Sequence, residues 1–139
     1  MRYWMVKFAP FRVSWENILA SGKFEIYSVR NPQSRNNLEQ MKIGDLAFYY
    51  HSQTEKQIVG IMEVVKEAHQ DFTTKDPRWK SVTFAPVETL KHPIPLQYIK
   101  NTEQLMHIAL VHQPRLAVSE LTKEEYEAIK RISVTQNGD

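Results

Sequence analysis

The sequence predicts an α+β fold, a small mixed β-barrel flanked by short helices. Three observations carry this expectation. The middle of the chain holds three long β-type runs, 45–52, 57–68 and 79–90, rich in aromatic and β-branched residues. Short helix signals are scattered among them without the alternating rhythm of a parallel βαβ sheet. The length of 139 residues, 42% apolar and 24% charged, fits one domain with one core. That domain is read as residues 1–133, with 134–139 as a disordered tail.

Each element has a local reason. Tyr3 to Phe8 is aromatic and β-branched and is closed by Pro10, a strand. Ser14 caps a short helix through Ala20, with Glu16 in its first turn and Gly22 ending it. Phe24 to Val29 reads as a strand, and Asn31-Pro32 as a turn or helix start before a helix over Arg35 to Met41. Ile43-Gly44-Asp45 turns the chain. The runs Asp45 to Ser52 and Gln57 to Ala68, joined by the polar loop Gln53 to Lys56, predict a hairpin. Gly60 inside the second strand marks a bulge or a close backbone approach. After a polar loop over 69–78, Trp79 to Leu90 is a third long strand in which Pro86 marks an edge or a bulge. Pro95 to Lys100 and Thr102 to Ile108 read as short helices, and Arg115 to Val118 as a short strand. Thr122 to Ile132 is the clearest helix: Thr122 and Glu125 have capping-box spacing, and Tyr126, Ile129 and Ile132 form one apolar stripe.

Composition excludes several function classes. There is no cysteine, hence no disulfide framework, thiolate metal site or cysteine nucleophile. No apolar run reaches a membrane-spanning length, and the start Met1-Arg2-Tyr3-Trp4 lacks a secretory signal, so the expectation is a cytoplasmic protein without membrane contact. The five histidines show no metal-ligand spacing, and there is no glycine-rich phosphate loop or nucleophile elbow. No catalytic set, metal site or cofactor is expected. The net charge of +2 is too small for a strongly basic nucleic-acid protein, but residues 1–50 hold seven basic and four acidic residues and carry most of the positive potential.

Aromatic and arginine side chains near element ends stand out. Trp15 and Trp79 sit near turns, Tyr50, His51 and Ser52 close a strand, and Arg30-Asn31 follows another. Such groups suit a flat polar ring: aromatics stack on it, amide, hydroxyl and imidazole groups bond its edge, and arginines hold phosphates. Tryptophans at element ends serve equally well as core caps. Strand alternation puts Phe48, Tyr50 and Ser52 on one face and Tyr49 and His51 on the other, so one set belongs to a core unless the strand bulges.

The run Val29-Arg30-Asn31-Pro32-Gln33-Ser34-Arg35-Asn36-Asn37-Leu38 resembles the Val-Arg-Asn-x-Gln-Ala-Arg-Asn-x-Leu signature of the EVE domain, the fold of the thymocyte nuclear protein family. Tyr3 to Lys7, Ser14-Trp15, Met41 to Asp45, Phe48 to Ser52, Ile58 to Ile61, Asp76 to Trp79, Pro95-Leu96-Ile99 and Leu110 to Leu116 follow in the family's order, over residues 2–132. The resemblance implies a PUA-like β-barrel related to the YTH readers of methylated adenine. It implies a non-catalytic, monomeric module that binds modified DNA or RNA weakly, with a base such as 5-methylcytosine or its oxidised forms in a pocket. Carried over by position, Trp15 is a stacking wall, Arg30 and Asn31 the pocket mouth, and Tyr50, His51 and Ser52 donors to the base edge. Trp79 is a second aromatic wall, Arg115 a second cation, and Arg35 and Lys42 are phosphate contacts. The sequence departs from the family's Trp-Asp-Gly at Ile26-Tyr27-Ser28, and from its Arg-Gln-Ser-Arg-Leu-Ser at His112 to Ala117. These departures motivate a rival reading, a small-molecule or protein-binding module on the same barrel. A third reading is a nucleotide- or RNA-modifying enzyme that uses His51 beside Ser52.

Overall fold

Two long strands build the frame. β4 (Gln57–Gln70) and β5 (Lys80–Pro95) pair antiparallel along nearly their whole length, through four register shifts that bend and twist the ribbon. The other strands add to it: β1 (Tyr3–Phe8), β2 (Phe24–Glu25), β3 (Leu46–His51) and β6 (Val118–Leu121), giving one six-stranded sheet in the order β2–β5–β4–β3–β1–β6. This is a computed structural model, and it describes residues 1–135. The helices are α1 (Trp15–Ser21), α2 (Pro32–Gln40), α3 (Leu96–Lys100), α4 (Ala109–His112) and α5 (Lys123–Thr135). No helix among the described residues is long and apolar enough to cross a membrane.

The expected α+β class holds, but the barrel does not close: β2 and β6 end the sheet unpaired with each other. Helix α2 packs beside β6 and against β4 and β5 instead. Its Ser34 hydroxyl accepts from the amides of Ala117 (3.0 Å) and Val118 (3.4 Å), and Asn37 donates to the Val118 carbonyl (2.6 Å). Side chains thus satisfy the outward backbone groups of Val118, at the start of β6, that a closing strand would have paired.

The sheet separates two apolar clusters. Trp4, Val6, Phe8, Trp15, Phe24, Tyr49 and Phe84 pack on one face, with Leu38 of α2. Met5, Phe48, Tyr50, Ile58, Ile61 and Ile94 pack on the other, with Tyr126 and Ile129 of α5. The alternation read from β3 is therefore correct, since Tyr49 and Tyr50 enter opposite clusters. The bulge expected at Gly60 lies in β4: Tyr49 faces Gly60, the next residue Tyr50 faces Ile58, and Val59 is the extra residue. The extra residue reverses side-chain parity along β4. A second shift, where Ile61 faces Glu88 and Met62 faces Pro86, explains the proline in β5.

Caps fall where expected. Ser14 and Asn17 form a reciprocal box on α1, Gly22 ends it at φ +79°, and Thr122 and Glu125 exchange bonds of 2.9 and 3.1 Å ahead of α5. Other boundaries are corrected. The strand expected over 24–29 stops at Glu25, because the chain turns sharply at Ser28. α2 starts at Pro32, three residues before the expected Arg35, because Asn31 caps it there. Residues 102–108 form isolated turns rather than a helix, with bonds such as Leu105 N–H to Thr102 C=O, and the helix α4 comes later. The strand expected over 115–118 lies at 118–121, past the loop around Pro114. The third long strand runs on to Pro95. α5 continues through Thr135, two residues into the stretch read as tail; residues 136–139 lie outside the described residues.

Candidate functional site

β1 and β3 are parallel, with Phe8 beside His51, so both chains leave the sheet at the same end. A cavity of about 250 Å³ opens just beyond these carboxyl ends, the place where an open sheet most readily leaves a crevice. Lys7, Phe8, Ala9 and Arg12 line it from β1 and the following loop, and Ser52 and Gln53 from the end of β3. The segment Tyr27 to Asn31 forms another wall, and Arg115 and Ala117 reach in from before β6. Four of these side chains are cationic and none is acidic among the described residues. The aromatic surface comes from Phe8 and Tyr27, with the Arg12 guanidinium 4.4 and 4.7 Å from their ring centroids.

The wall at Ser28 to Asn31 is held by one buried carboxylate. Asp71 Oδ2 accepts from the Ser28 amide (2.8 Å) and the Arg30 guanidinium (3.0 Å). Its Oδ1 accepts from the Thr73 amide (2.7 Å) and hydroxyl (2.6 Å). Burial pushes this carboxyl up, but the bonds from Thr73, Arg30 and Ser28 outweigh burial and hold it below its ordinary value. Ser28 itself sits at φ +59°, a left-handed conformation that favours glycine. Here this chain departs from a glycine in the family pattern. We therefore expect Ser28→Gly to stabilise the protein by about 0.5–1 kcal/mol, read as a rise in Tm of roughly 2–4 °C. An unchanged or lower Tm would mean that the Ser28 side chain offsets the backbone strain.

Of the residues singled out from the sequence, Arg30, Asn31, Ser52 and Arg115 line this cavity. Asn31 does so while capping α2, its side-chain oxygen accepting from the Ser34 amide (2.9 Å). Trp79 lies beside the rim, half-buried among the guanidinium groups of Arg30, Arg35 and Arg78, at 5.5, 5.6 and 5.3 Å from its ring centroid. Arg35 thus neighbours Arg30 across one indole without lining the cavity.

Four others are placed elsewhere. Trp15 is buried in the core on the Gly60 backbone, and its indole N–H donates to Thr89 Oγ1 (2.8 Å). His51 is also buried. Its Nε2 accepts the Trp15 amide (3.0 Å), which puts the ring proton on Nδ1, facing Glu55 Oε1 (2.6 Å). Both ring nitrogens are occupied, one by the first amide of α1 and the other by Glu55 of the β3–β4 loop, so His51 offers no free nitrogen to a reaction at Ser52. Tyr50 faces an adjoining depression on the other side of Lys7. Lys42 precedes β3 while the cavity follows it, and six strand residues separate them by roughly 20 Å.

Sequence reasoning missed Lys7, Phe8, Arg12, Tyr27 and Gln53. Tyr27 carried a signal, because it is one of the three departures from the family pattern. Arg12 and Gln53 carried none, since only the parallel pairing of β1 with β3 brings their loops together. No group of three or more potential metal ligands forms among the described residues.

Fold and site define a small single-sheet α+β domain whose parallel strand ends open onto a cationic cavity. The chain belongs to the EVE domain family, whose model matches residues 2–132. It is 33% identical over 168 aligned positions to mouse thymocyte nuclear protein 1, covering 96% of this chain and 74% of that protein. Among solved structures, an Agrobacterium tumefaciens protein is 39% identical with a TM-score of 0.93, covering 96% of this chain and 93% of its own. Human THYN1, solved in complex with DNA containing 5-methylcytosine, is 29% identical with a TM-score of 0.90, covering 96% of this chain and 98% of its own.

Proposed function

We propose that this EVE domain is a non-catalytic, PUA-like reader of modified DNA. A cytosine-type base carrying a methyl or oxidised methyl group enters the cavity at the ends of β1 and β3. The observation that carries this reading is the human relative of the same fold bound to 5-methylcytosine DNA. The cavity itself supports it. Tyr27, half-buried at the rim above the buried Phe8, offers its ring to an extruded base, a stack worth roughly 1–3 kcal/mol. Ser52, Gln53 and the backbone of 28–31 offer groups for its edge, and Lys7, Arg12, Arg30 and Arg115 neutralise phosphate. The small net charge fits a module that takes one base locally rather than coating a duplex.

The test compares matched oligonucleotides carrying one cytosine or one 5-methylcytosine, by fluorescence anisotropy at several salt concentrations. The modified strand is expected to bind about tenfold tighter or better, with affinity falling as salt rises. Arg115 is exposed and lines the cavity without a protein partner among the described residues. Arg115→Ala is therefore expected to lower affinity about tenfold while leaving Tm within about 1 °C. Equal affinity across a panel of modified and unmodified strands ends this reading.

A further inference from the structure

A second depression, also about 250 Å³, adjoins the first. Lys7, Ser52 and Gln53 line both, so the two are halves of one trough divided by the Lys7 side chain. The second half adds Lys56 and Lys100, with no acidic side chain among its described lining residues. Neither lysine is paired with an acid among the described residues. Tyr50 also faces this half. The residue is only 3% exposed, yet its hydroxyl makes no hydrogen bond to any described residue.

The ring is buried while the hydroxyl reaches the trough, so its proton is left for an acceptor that enters there. Two unpaired ammonium groups beside it select an anion. The loop that presents Lys56 is held in one shape: Gln53 and Lys56 have φ of +73° and +52°, and the Lys56 carbonyl accepts the Leu96 amide (2.8 Å). Non-glycine residues at positive φ mark a loop fixed by its surroundings.

We propose that this half of the trough is a phosphodiester subsite, holding the phosphate that flanks the base in the first cavity. Lys56 and Lys100 supply charge, the Tyr50 hydroxyl donates one hydrogen bond, and Lys7 bridges the two halves. The assignment rests on the nucleic-acid reading above. It adds that the strand leaves the base pocket past Lys7 towards α3, rather than over Trp79.

The test uses the full chain and the Lys56→Gln/Lys100→Gln double variant. The probes are 5-methyl-2′-deoxycytidine, which has no phosphate, and oligonucleotides with and without 5-methylcytosine. The double variant is expected to bind the modified oligonucleotide about tenfold more weakly at low salt. Its slope of log affinity against log salt should fall by about 0.7 per lysine, with nucleoside affinity unchanged. Replacing the flanking linkage, 5′ or 3′ in turn, by a neutral methylphosphonate should cost the wild type a similar factor at one of the two positions and the double variant nothing. Tyr50→Phe preserves core volume and should weaken only the oligonucleotide, severalfold. Unchanged oligonucleotide affinity and salt slope in the double variant overturn the subsite and leave base reading intact. Joint loss of nucleoside and oligonucleotide binding also overturns it, because the lysines then act on the fold. If the wild type does not discriminate methylated from unmethylated strands, but the double variant still weakens both, base reading fails and the phosphate subsite stands.

Discussion

Gly60→Ala is expected to cost about 3 kcal/mol of stability, a fall in Tm of roughly 6–12 °C. A Cβ at this position would meet Cζ2, Cε2 and Cη2 of the Trp15 indole far inside van der Waals contact. The indole cannot step aside cheaply. Its N–H is held by Thr89, the backbone amide of the same residue by His51, and the ring packs 5.9 Å from that of Tyr49. Thermal and urea unfolding measure the loss. A double-mutant cycle with Trp15→Leu identifies the cause: the smaller side chain leaves room for the new methyl, so the two costs should fall short of additivity by about 1 kcal/mol or more. Strict additivity would mean that the penalty arises from the β4 backbone and not from the indole.

Asp71→Asn should remove about 2–3 kcal/mol at neutral pH and weaken ligand binding as well. Every partner of this carboxylate is a donor: the Ser28 and Thr73 amides, the Thr73 hydroxyl and the Arg30 guanidinium. Either orientation of an asparagine therefore turns its NH₂ towards a donor and leaves at least one buried amide or charge unsatisfied. The effect depends on pH in a definite direction. Hydrogen bonding leaves the folded-state carboxyl below its unfolded value, so its stabilisation is complete above the unfolded pKa, near pH 4, and disappears as pH falls through the lower folded value. Urea unfolding from pH 7 down to pH 2 should show the wild-type advantage over Asp71→Asn shrinking in the acid range. An advantage of constant size would mean that packing, not charge, accounts for it. Arg30, whose side chain is 40% exposed, then loses its carboxylate and keeps the Thr73 hydroxyl (3.2 Å) at the rim, and affinity for the modified strand should fall; Ser28→Gly, worth about 0.5–1 kcal/mol, recovers only part of the lost stability.

Local signals in the chain were legible because each is decided within a few residues. Ser14, Gly22, Asn31, Thr122 and Glu125 announce helix ends, and Gly60 announced both the bulge and the close approach that the structure contains. Half of the cavity was legible for the same reason, since Arg30 and Asn31 belong to one ordered motif. The closure of the sheet was not. It depends on whether β6 meets a strand or a helix, and only Ser34 and Asn37, some 80 residues away in sequence, decide that. That Trp15 and His51 lie away from the cavity has one origin. Both stand at element ends, as pocket residues do, but each is the other's hydrogen-bonding partner, a relation invisible across 36 positions. The aromatic lining of the cavity, Phe8 and Tyr27, follows from the parallel pairing of β1 with β3, which no local pattern encodes.

Helix α2 has a role that reaches beyond the fold of a single molecule. An unpaired strand edge is a template on which a second chain can grow. Here the Val118 end of β6 is masked by two polar side chains of a nine-residue helix rather than by a bulge, a proline or a row of lysines. That mask lasts only as long as the helix stays docked, and the helix is capped by Asn31, on the rim of the cavity. Colloidal behaviour and ligand recognition are thus fastened to the same short segment. A ligand that steadied Asn31 would therefore also keep the Val118 end of that edge from recruiting its own kind.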